Sequence, residues 1–399
     1  LPEPTLKVLM LAPTPYFADR GCHVRILEEA RALRALGMDV RIVTYHLGRD
    51  MADIPTYRIP AIPWYKKLTA GPSWHKPYLD ILLFFKALRL FRSFKADLIH
   101  AHLHEGAFVG LLLKKMTGIP LLFDCQGSLT AELVDHDFIR TGSPLFRVFR
   151  FLERVINNNV DYILTSSGAA ATALVETWGV PETKVTGLID GVNTVEFRPG
   201  DREAVRRALQ LPLDRPVAVF LGVLNSYQGV DILLAVAKEL HARGVPVHFL
   251  VMGFPEAKYR QRAAELALAD CLTFTGRIDY QQAPWYLAAG DVAISPKISL
   301  TEANGKLFNY MACGLPCVVF DTPVNREILG DSGVYARYGD AADFADQLQA
   351  LLTEPARRQL LTVQVRQRAV QEHSWQARGQ ELVGVYEALV RNQMVVGHE

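Results

Sequence analysis

Cysteine is scarce in this 399-residue chain. Its five cysteines, Cys22, Cys125, Cys271, Cys313 and Cys317, are odd in number and scattered, with no pair of Cys-x-x-Cys clusters. Zinc is therefore not expected, and reduced thiols of a cytoplasmic protein are. Excess charge of either sign is lacking as well: 43 Lys and Arg against 42 Asp and Glu leave a formal net charge of +1. Nucleic-acid binding relies on many basic contacts to phosphate, so no nucleic-acid partner is expected. Long apolar runs are missing too. Stretches such as 81–85 and 217–224 fall far below the roughly 20 residues that cross a bilayer, and no charged-then-apolar leader opens the sequence. The expectation is a cytoplasmic protein, neither secreted nor membrane-spanning, with contact at the inner face of a membrane left open.

What is present is an ordinary globular composition, 50% hydrophobic and 21% charged, on a chain longer than one core usually serves; two domains are expected. Residues 7–13 form a short apolar run, followed by Gly21, a helical pattern over 24–36 that Gly37 stops, and a second apolar run at 40–45. Strand, helix, strand in that order implies parallel pairing by a crossover. The alternation continues through a strand ending at 97–102, a helix at 106–116 and strands at 120–124 and 162–165. A turn-rich stretch, Asp190-Gly191-Val192-Asn193, and the Pro199-Gly200 pair punctuate the middle. A second round follows, with strands at 217–222, 247–253, 272–276, 292–295 and 317–321 and a helix at 230–243. The fold class is α/β, two doubly wound Rossmann-like domains, with a boundary near residue 195.

In open parallel sheets, ligands bind beyond the carboxyl ends of the strands, where loops lead into helix N-termini. Gly222, Gly253 and Gly276 all stand at such ends. The most informative run is 295–319, which reads strand, polar loop, helix, glycine stop, strand, and contains Glu302, Asn304, Gly305, Lys306, Leu307, Asn309 and then Met311-Ala312-Cys313-Gly314-Leu315-Pro316-Cys317-Val318-Val319. It resembles the donor-site motif of the family 4 retaining glycosyltransferases: a Glu, a glycine-containing loop, a second Glu, then Met-Ala-Cys-Gly-x-Pro-Val-Val. Companion features extend over nearly the whole chain. They include the glycine loop after the first strand, His100 and His102, Gly179-Val180-Pro181, Gly229-Val230-Asp231, Gly276-Arg277, Ala289-Gly290-Asp291-Val292 and Trp375 before the last helix.

The resemblance implies the GT-B fold, with an acceptor-side domain over 1–195, a nucleotide-sugar domain over 196–375, and a helix at 376–399 returning to the first domain. The implied activity is metal-independent transfer of a hexosyl group with retention, from a nucleotide-sugar co-substrate to a glycan, lipid or lipid-linked acceptor. UDP-sugar is favoured, GDP-sugar stays open, and no cofactor is implied. By carry-over, Glu302 accepts from sugar hydroxyls, Asn304 shapes the sugar pocket and Asn309 takes the place of the Glu that holds the ribose. Amides of Gly305, Lys306 and Leu307 face the diphosphate, the Gly276-Arg277-Ile278 segment lines the base, Gly21 opens toward phosphate or acceptor, and His102 points at the reaction.

This chain departs from the family in the stretch 222–229. Val223 and Gln228 stand where the family has an Arg and a Lys on the donor phosphates, so two positive charges are missing from the site that holds Asn225 and Gln228. Lys306 is the expected replacement, with Arg277 and Arg20 behind it. Clustered histidines also suggest a metal, but a binding set needs a carboxylate at defined geometry, which the sequence does not place, and no metal is expected. Between 58 and 95, eight basic residues face the single acid Asp80, interleaved with aromatics; Trp64, Lys66, Lys67, Trp74 and Lys76 are candidates for lipid contact. The alternative functions are a sugar-nucleotide epimerase of the same fold and a non-catalytic binding relative.

Overall fold

A computed structural model describes residues 6–396 apart from 19–20, 69–70, 72, 136–137 and 300–303. The chain divides into two compact units, Leu1–Asp190 with Trp375–Glu399, and Gly191–Ser374. In the first, the elements are β1 (Lys7–Ala12), α1 (Gly21–Ala35), β2 (Asp39–Thr44), β3 (Thr56–Arg58), α2 (Lys76–Phe94), β4 (Leu98–His102), α3 (Leu103–Thr117), β5 (Leu121–Cys125), α4 (Leu129–Asp135), α5 (Pro144–Asn159), β6 (Tyr162–Thr165), α6 (Gly168–Trp178) and β7 (Val185–Gly187). The strands lie in the order β3-β2-β1-β4-β5-β6-β7, all pairings parallel.

Strand periodicity sorts the two faces of this sheet. Ile99 and Ala101 of β4, with Leu121 and Phe123 of β5, join Leu83, Val109 and Ile156 in one apolar core under α2, α3 and α5. The alternate residues His100 and His102 face the other way, toward α1 and the last helix, α15 (Trp375–Val396). Gly379 is what lets α15 approach α1 so closely, since a Cβ there would lie 2.9 Å from that of Ala32. Helix starts are capped by the expected chemistry: Ser143 accepts from Phe146 N–H at 3.2 Å with Pro144 in the first turn of α5, and Ser167 accepts from Ala170 N–H at 3.1 Å in α6.

The second unit contains α7 (Arg202–Ala208), β8 (Val217–Leu221), α8 (Val230–Ala242), β9 (His248–Met252), α9 (Ala257–Glu265), β10 (Leu272–Gly276), α10 (Ala283–Leu287), β11 (Val292–Ser295), α11 (Lys306–Ala312), β12 (Cys317–Phe320), α12 (Pro323–Leu329), β13 (Val334–Ala336), α13 (Ala341–Thr353) and α14 (Pro355–Glu372). Its parallel sheet runs β10-β9-β8-β11-β12-β13. Strands β8, β9, β11 and β12 are apolar along almost their whole length, as buried parallel strands covered on both faces must be. The five cysteines are free thiols, and burial pushes that of Cys313 up to about 12.

Candidate active site

Chain order reverses between β8 and β11, and the loops leaving those two strands converge where an open α/β sheet binds its ligand. The glycines there are dictated by backbone contact. Gly222, at φ +152°, donates its N–H to Met252 O at 3.0 Å, and Gly253 donates to Gly276 O at 3.0 Å, so the ends of β8, β9 and β10 are stitched in a row. A Cβ on Gly253 would lie 1.8 Å from Gly222 O, and one on Gly229 would lie 1.8 Å from Pro296 O. No side chain fits at either position. The loop over 222–229 is thereby pressed against the strand end of β11.

Lys306, first residue of α11, crosses this junction. Its Nζ donates to Gln228 Oε1 at 2.7 Å and stands 4.3 Å from the centre of the Phe220 ring. It is also the nearest atom, at 2.9 Å, to where a Cβ on Gly222 would be. The ammonium of Lys306 therefore lies beside both the glycine and the glutamine of the segment that lacks the expected basic residues. Asn225 Oδ1 accepts from Gln228 N–H at 2.9 Å and closes that loop as a turn. Tyr310 anchors α11 by accepting from Leu221 N–H at 2.7 Å, a tether that no sequence pattern announces.

The remaining positions fall out differently. Glu302 and Arg20 lie outside the described residues. Asn304 is buried, and its amide is committed: Nδ2 donates to Asn325 Oδ1 at 3.0 Å, and Oδ1 accepts from Ser295 Oγ at 3.2 Å. It braces the loop from inside instead of presenting its amide to a sugar. The Leu307 N–H donates to Asn304 O at 3.0 Å, which removes it as a diphosphate donor. Gly305 precedes the helix in right-handed geometry, and Asn309 is half-buried on α11. Arg277 is exposed, with its guanidinium 5.3 Å from the Phe254 ring centre, and Ile278 is partly buried beside it. Lys297 was not singled out by sequence, yet it is only 4% exposed and directly follows Pro296 at the same strand end. Its one signal is a lysine two residues beyond an apolar strand.

In the first unit the corresponding reversal lies between β1 and β4. Gly21 is exposed and is itself the first residue of α1. His102, by contrast, is sealed, 0% exposed, with its ring stacked on that of His100 at 4.3 Å. His102 Nδ1 pairs with Asp124 Oδ2 at 3.0 Å, and His100 Nδ1 is hydrogen-bonded with the Tyr386 hydroxyl at 2.6 Å. Between these groups and α1 sits Arg25, whose guanidinium reaches Glu29 (3.0 Å), both oxygens of Asp124 (2.9 and 3.0 Å), Asp190 (2.6 Å) and Leu188 O (3.0 Å). Burial alone would raise the Asp124 carboxyl, but Arg25 and the two histidines hold it well below the carboxylate range. Burial raises Glu29 and keeps His100 neutral.

Glu29, His100, His102 and Asp124 offer ligand atoms within 4.8 Å of one another, so the structure supplies the carboxylates that sequence could not place beside the histidines. The Arg25 guanidinium already takes the cationic position against both acids. The arrangement is that of an internal polar network, one guanidinium among three carboxyl groups, that fixes α1, β4, β5 and α15 to one another.

Comparison with known proteins sets this geometry in its family. Residues 20–188 match the glycosyl transferase 4-like domain, and residues 215–354 match glycosyl transferases group 1, between them well over half of the chain. The chain belongs to the family 4 glycosyltransferases. It is 29% identical to the D-inositol 3-phosphate glycosyltransferase of Thermobispora bispora, with 93% of this chain and 90% of that protein covered, and 27% identical to its namesake in Rhodococcus erythropolis, with 92% and 86% covered. Among solved structures, the sucrose-phosphate synthase of Thermosynechococcus elongatus superposes with a TM-score of 0.80 over 97% of this chain and all of that one, at 20% identity. Anabaena HepE in complex with UDP-glucose gives 0.76 over 96% and all, at 17%. These likenesses show the GT-B fold. The enzyme is a glycosyltransferase, and its second unit carries the strand-end junction just described.

Proposed function

We propose that this glycosyltransferase moves a hexosyl group with retention from a nucleotide-sugar, a UDP-sugar in the first instance, to a glycan, lipid or lipid-linked acceptor, without a metal at the diphosphate. The observation that carries the reading is Lys306 at Gln228 and Gly222, which returns a positive charge to the loop where the family's basic pair is replaced. HepE, of the same fold, is known with UDP-glucose bound, which supports the choice of base. The named relatives are D-inositol 3-phosphate glycosyltransferases, which makes a phosphorylated polyol the first acceptor to try.

In this reading the acceptor oxygen attacks the anomeric carbon on the face that the diphosphate leaves, and a diphosphate oxygen takes the acceptor proton as the glycosidic bond breaks. Lys306 stabilises the charge growing on that diphosphate, a contribution of about 100-fold for a donor at a comparable site. Glu302 receives the sugar hydroxyls. Because His102 is sealed beneath Asp124 and Arg25, it acts as a positioning residue instead of touching substrate. The exposed loop residues Trp64, Lys66 and Trp74, together with Lys67, present the acceptor side to lipid, whereas Lys76 does not: it is ion-paired with Glu105.

Titration calorimetry with UDP-, GDP- and ADP-sugars in chelator tests the donor, and the anomeric configuration of the product by NMR tests retention. Saturable binding of UDP-sugars with a retained anomer is expected. Binding that needs a divalent ion, or an inverted product, overturns the reading, and sugar isomerisation without acceptor assigns an epimerase. Lys306→Ala is expected to lower kcat about 100-fold while the thermal midpoint stays put.

A further inference from the structure

Helices α2, α3 and α5 lie side by side on one face of the first sheet, α3 packing against both of the others. Their inward sides fill the core, and their outward sides are not those of a solvated helix layer. On α2, Ile81 and Phe85 point outward one turn apart. On α3, Phe108, Leu112 and Met116 do so over two turns, and on α5, Leu145, Val148 and Phe151 recur every three residues. Phe151 is 65% exposed, Phe85 61% and Met116 59%. Single exposed apolar residues are ordinary, but three neighbouring stripes are not.

Charge on this layer has one sign. Each helix contains a single acid, and each acid is turned inward: Asp80 accepts from the Tyr45 hydroxyl at 2.5 Å, Glu105 pairs with Lys76, and Glu153 accepts from Leu129 N–H, Thr130 N–H and the Thr130 hydroxyl. Arg89, Arg92, Lys115, Arg147 and Arg154 are exposed and form no salt bridge among the described residues. The chain as a whole carries a net charge of only +1. The positive charge is therefore concentrated by placement, on the face that is also the most apolar.

We propose that the outward face of α2, α3 and α5 docks on an anionic lipid bilayer. The phenylalanines and leucines enter the acyl boundary, while the arginines extend their charged heads to lipid phosphates. Only a surface that is apolar below and anionic above satisfies both components at once. Two copies of this chain meeting face to face would instead bring like charges together with no acid to meet them. The docking face is made of residues other than Trp64, Lys66, Lys67 and Trp74 and is independent of which donor the second unit binds.

Sedimentation of the full chain with vesicles tests this, using phosphatidylcholine alone and phosphatidylcholine mixed with phosphatidylglycerol. Binding to the mixed vesicles only, weakening as salt rises, is expected. Combined Arg92→Glu, Arg147→Glu and Arg154→Glu should lower partitioning about 100-fold, each basic residue contributing about fivefold near an anionic surface. Phe85→Ser with Phe151→Ser should lower it while leaving an unchanged circular dichroism spectrum and unchanged nucleotide-sugar binding. Equal affinity for both vesicles, or no binding, overturns the proposal. So does loss of all binding on Trp64→Ser with Trp74→Ser alone, which would assign the contact to the loop. Dimerisation in analytical ultracentrifugation that the phenylalanine variant abolishes would assign the face to a second copy.

Discussion

Two parallel sheets in one chain share a winding and differ in what they bury. The sheet of β8–β13 encloses an almost wholly apolar core and keeps its polar groups at the strand ends, where Gly222, Gly229 and Gly253 let backbone press on backbone. The sheet of β1–β7 has one apolar face, while the other holds Arg25, Glu29, His100, His102 and Asp124 out of water. A dry core tolerates loops of many shapes at its rim. A buried charge network permits little change, because every member neutralises or orients another. The second unit thus keeps its polar groups at the edge of its sheet, and the first holds α1 and α15 in fixed register across its own.

The largest effect that would sharpen this contrast comes from Arg25. Arg25→Met removes the cation that faces three carboxylates and leaves Asp124 and Glu29 buried without it. Removal of one partner of a buried ion pair destabilises by about 3–5 kcal/mol. Urea denaturation should show the first unit unfolding early with the second unit's transition unmoved. Arg25→Lys should recover only part of the loss, since an ammonium cannot bridge acids placed on opposite edges of a planar guanidinium. Coincident, unshifted transitions in Arg25→Met would mean that the network contributes nothing to the contrast.

A smaller effect is expected in the other unit. Gly253→Ala puts a methyl group 1.8 Å from Gly222 O, and the strand ends of β8 and β9 must part to admit it. Donor affinity should fall about tenfold, equal to about 1.4 kcal/mol, with the first unit's unfolding unaltered. Unchanged affinity for every nucleotide-sugar in calorimetry would detach the glycine row from the donor site.

The same contrast explains what could be read before the fold was seen. Strands β1, β2, β4–β6 and β8–β12 announce themselves as short apolar runs between turn residues, and the glycine row follows from their ends. Strand β3, Thr56–Arg58, carries no such run and pairs only through the register of Thr44 with Arg58 and its neighbours. The strand-end junction was legible because its residues lie in short segments, 222–229, 295–297 and 304–309. The charge network was not, because it assembles residues 25, 29, 100, 102, 124, 190 and 386 from five distant stretches. In sequence, the charges of α1 look like a solvated helix face; in the fold, Arg25, Glu28 and Glu29 are its buried side. Lys76 misled for the same reason, its partner Glu105 lying 29 positions away.

The smallest expected effect concerns Asp80, which lies on the inward side of the basic helix layer and ties α2 to Tyr45. Burial, with the Glu105 carboxylate adding to it, raises its carboxyl to about 7 against the opposing pull of the Tyr45 hydrogen bond and Lys76. In the unfolded chain it ionises near 3.9. Between those values the unfolded state has released a proton that the folded state keeps, so this group's contribution to stability falls as pH rises from about 4 to 7 and is level on either side. Asp80→Asn keeps the shape and removes the titration. The variant should match the parent at pH 4 or fall slightly below it, and exceed it by on the order of 1 kcal/mol at pH 8, after allowance for partial solvent screening. Denaturation at the two pH values measures this directly. A parent and variant with parallel pH profiles would show that Asp80 ionises normally, which would place a second charged group, in addition to the network at Arg25, beneath the helix layer of the first unit.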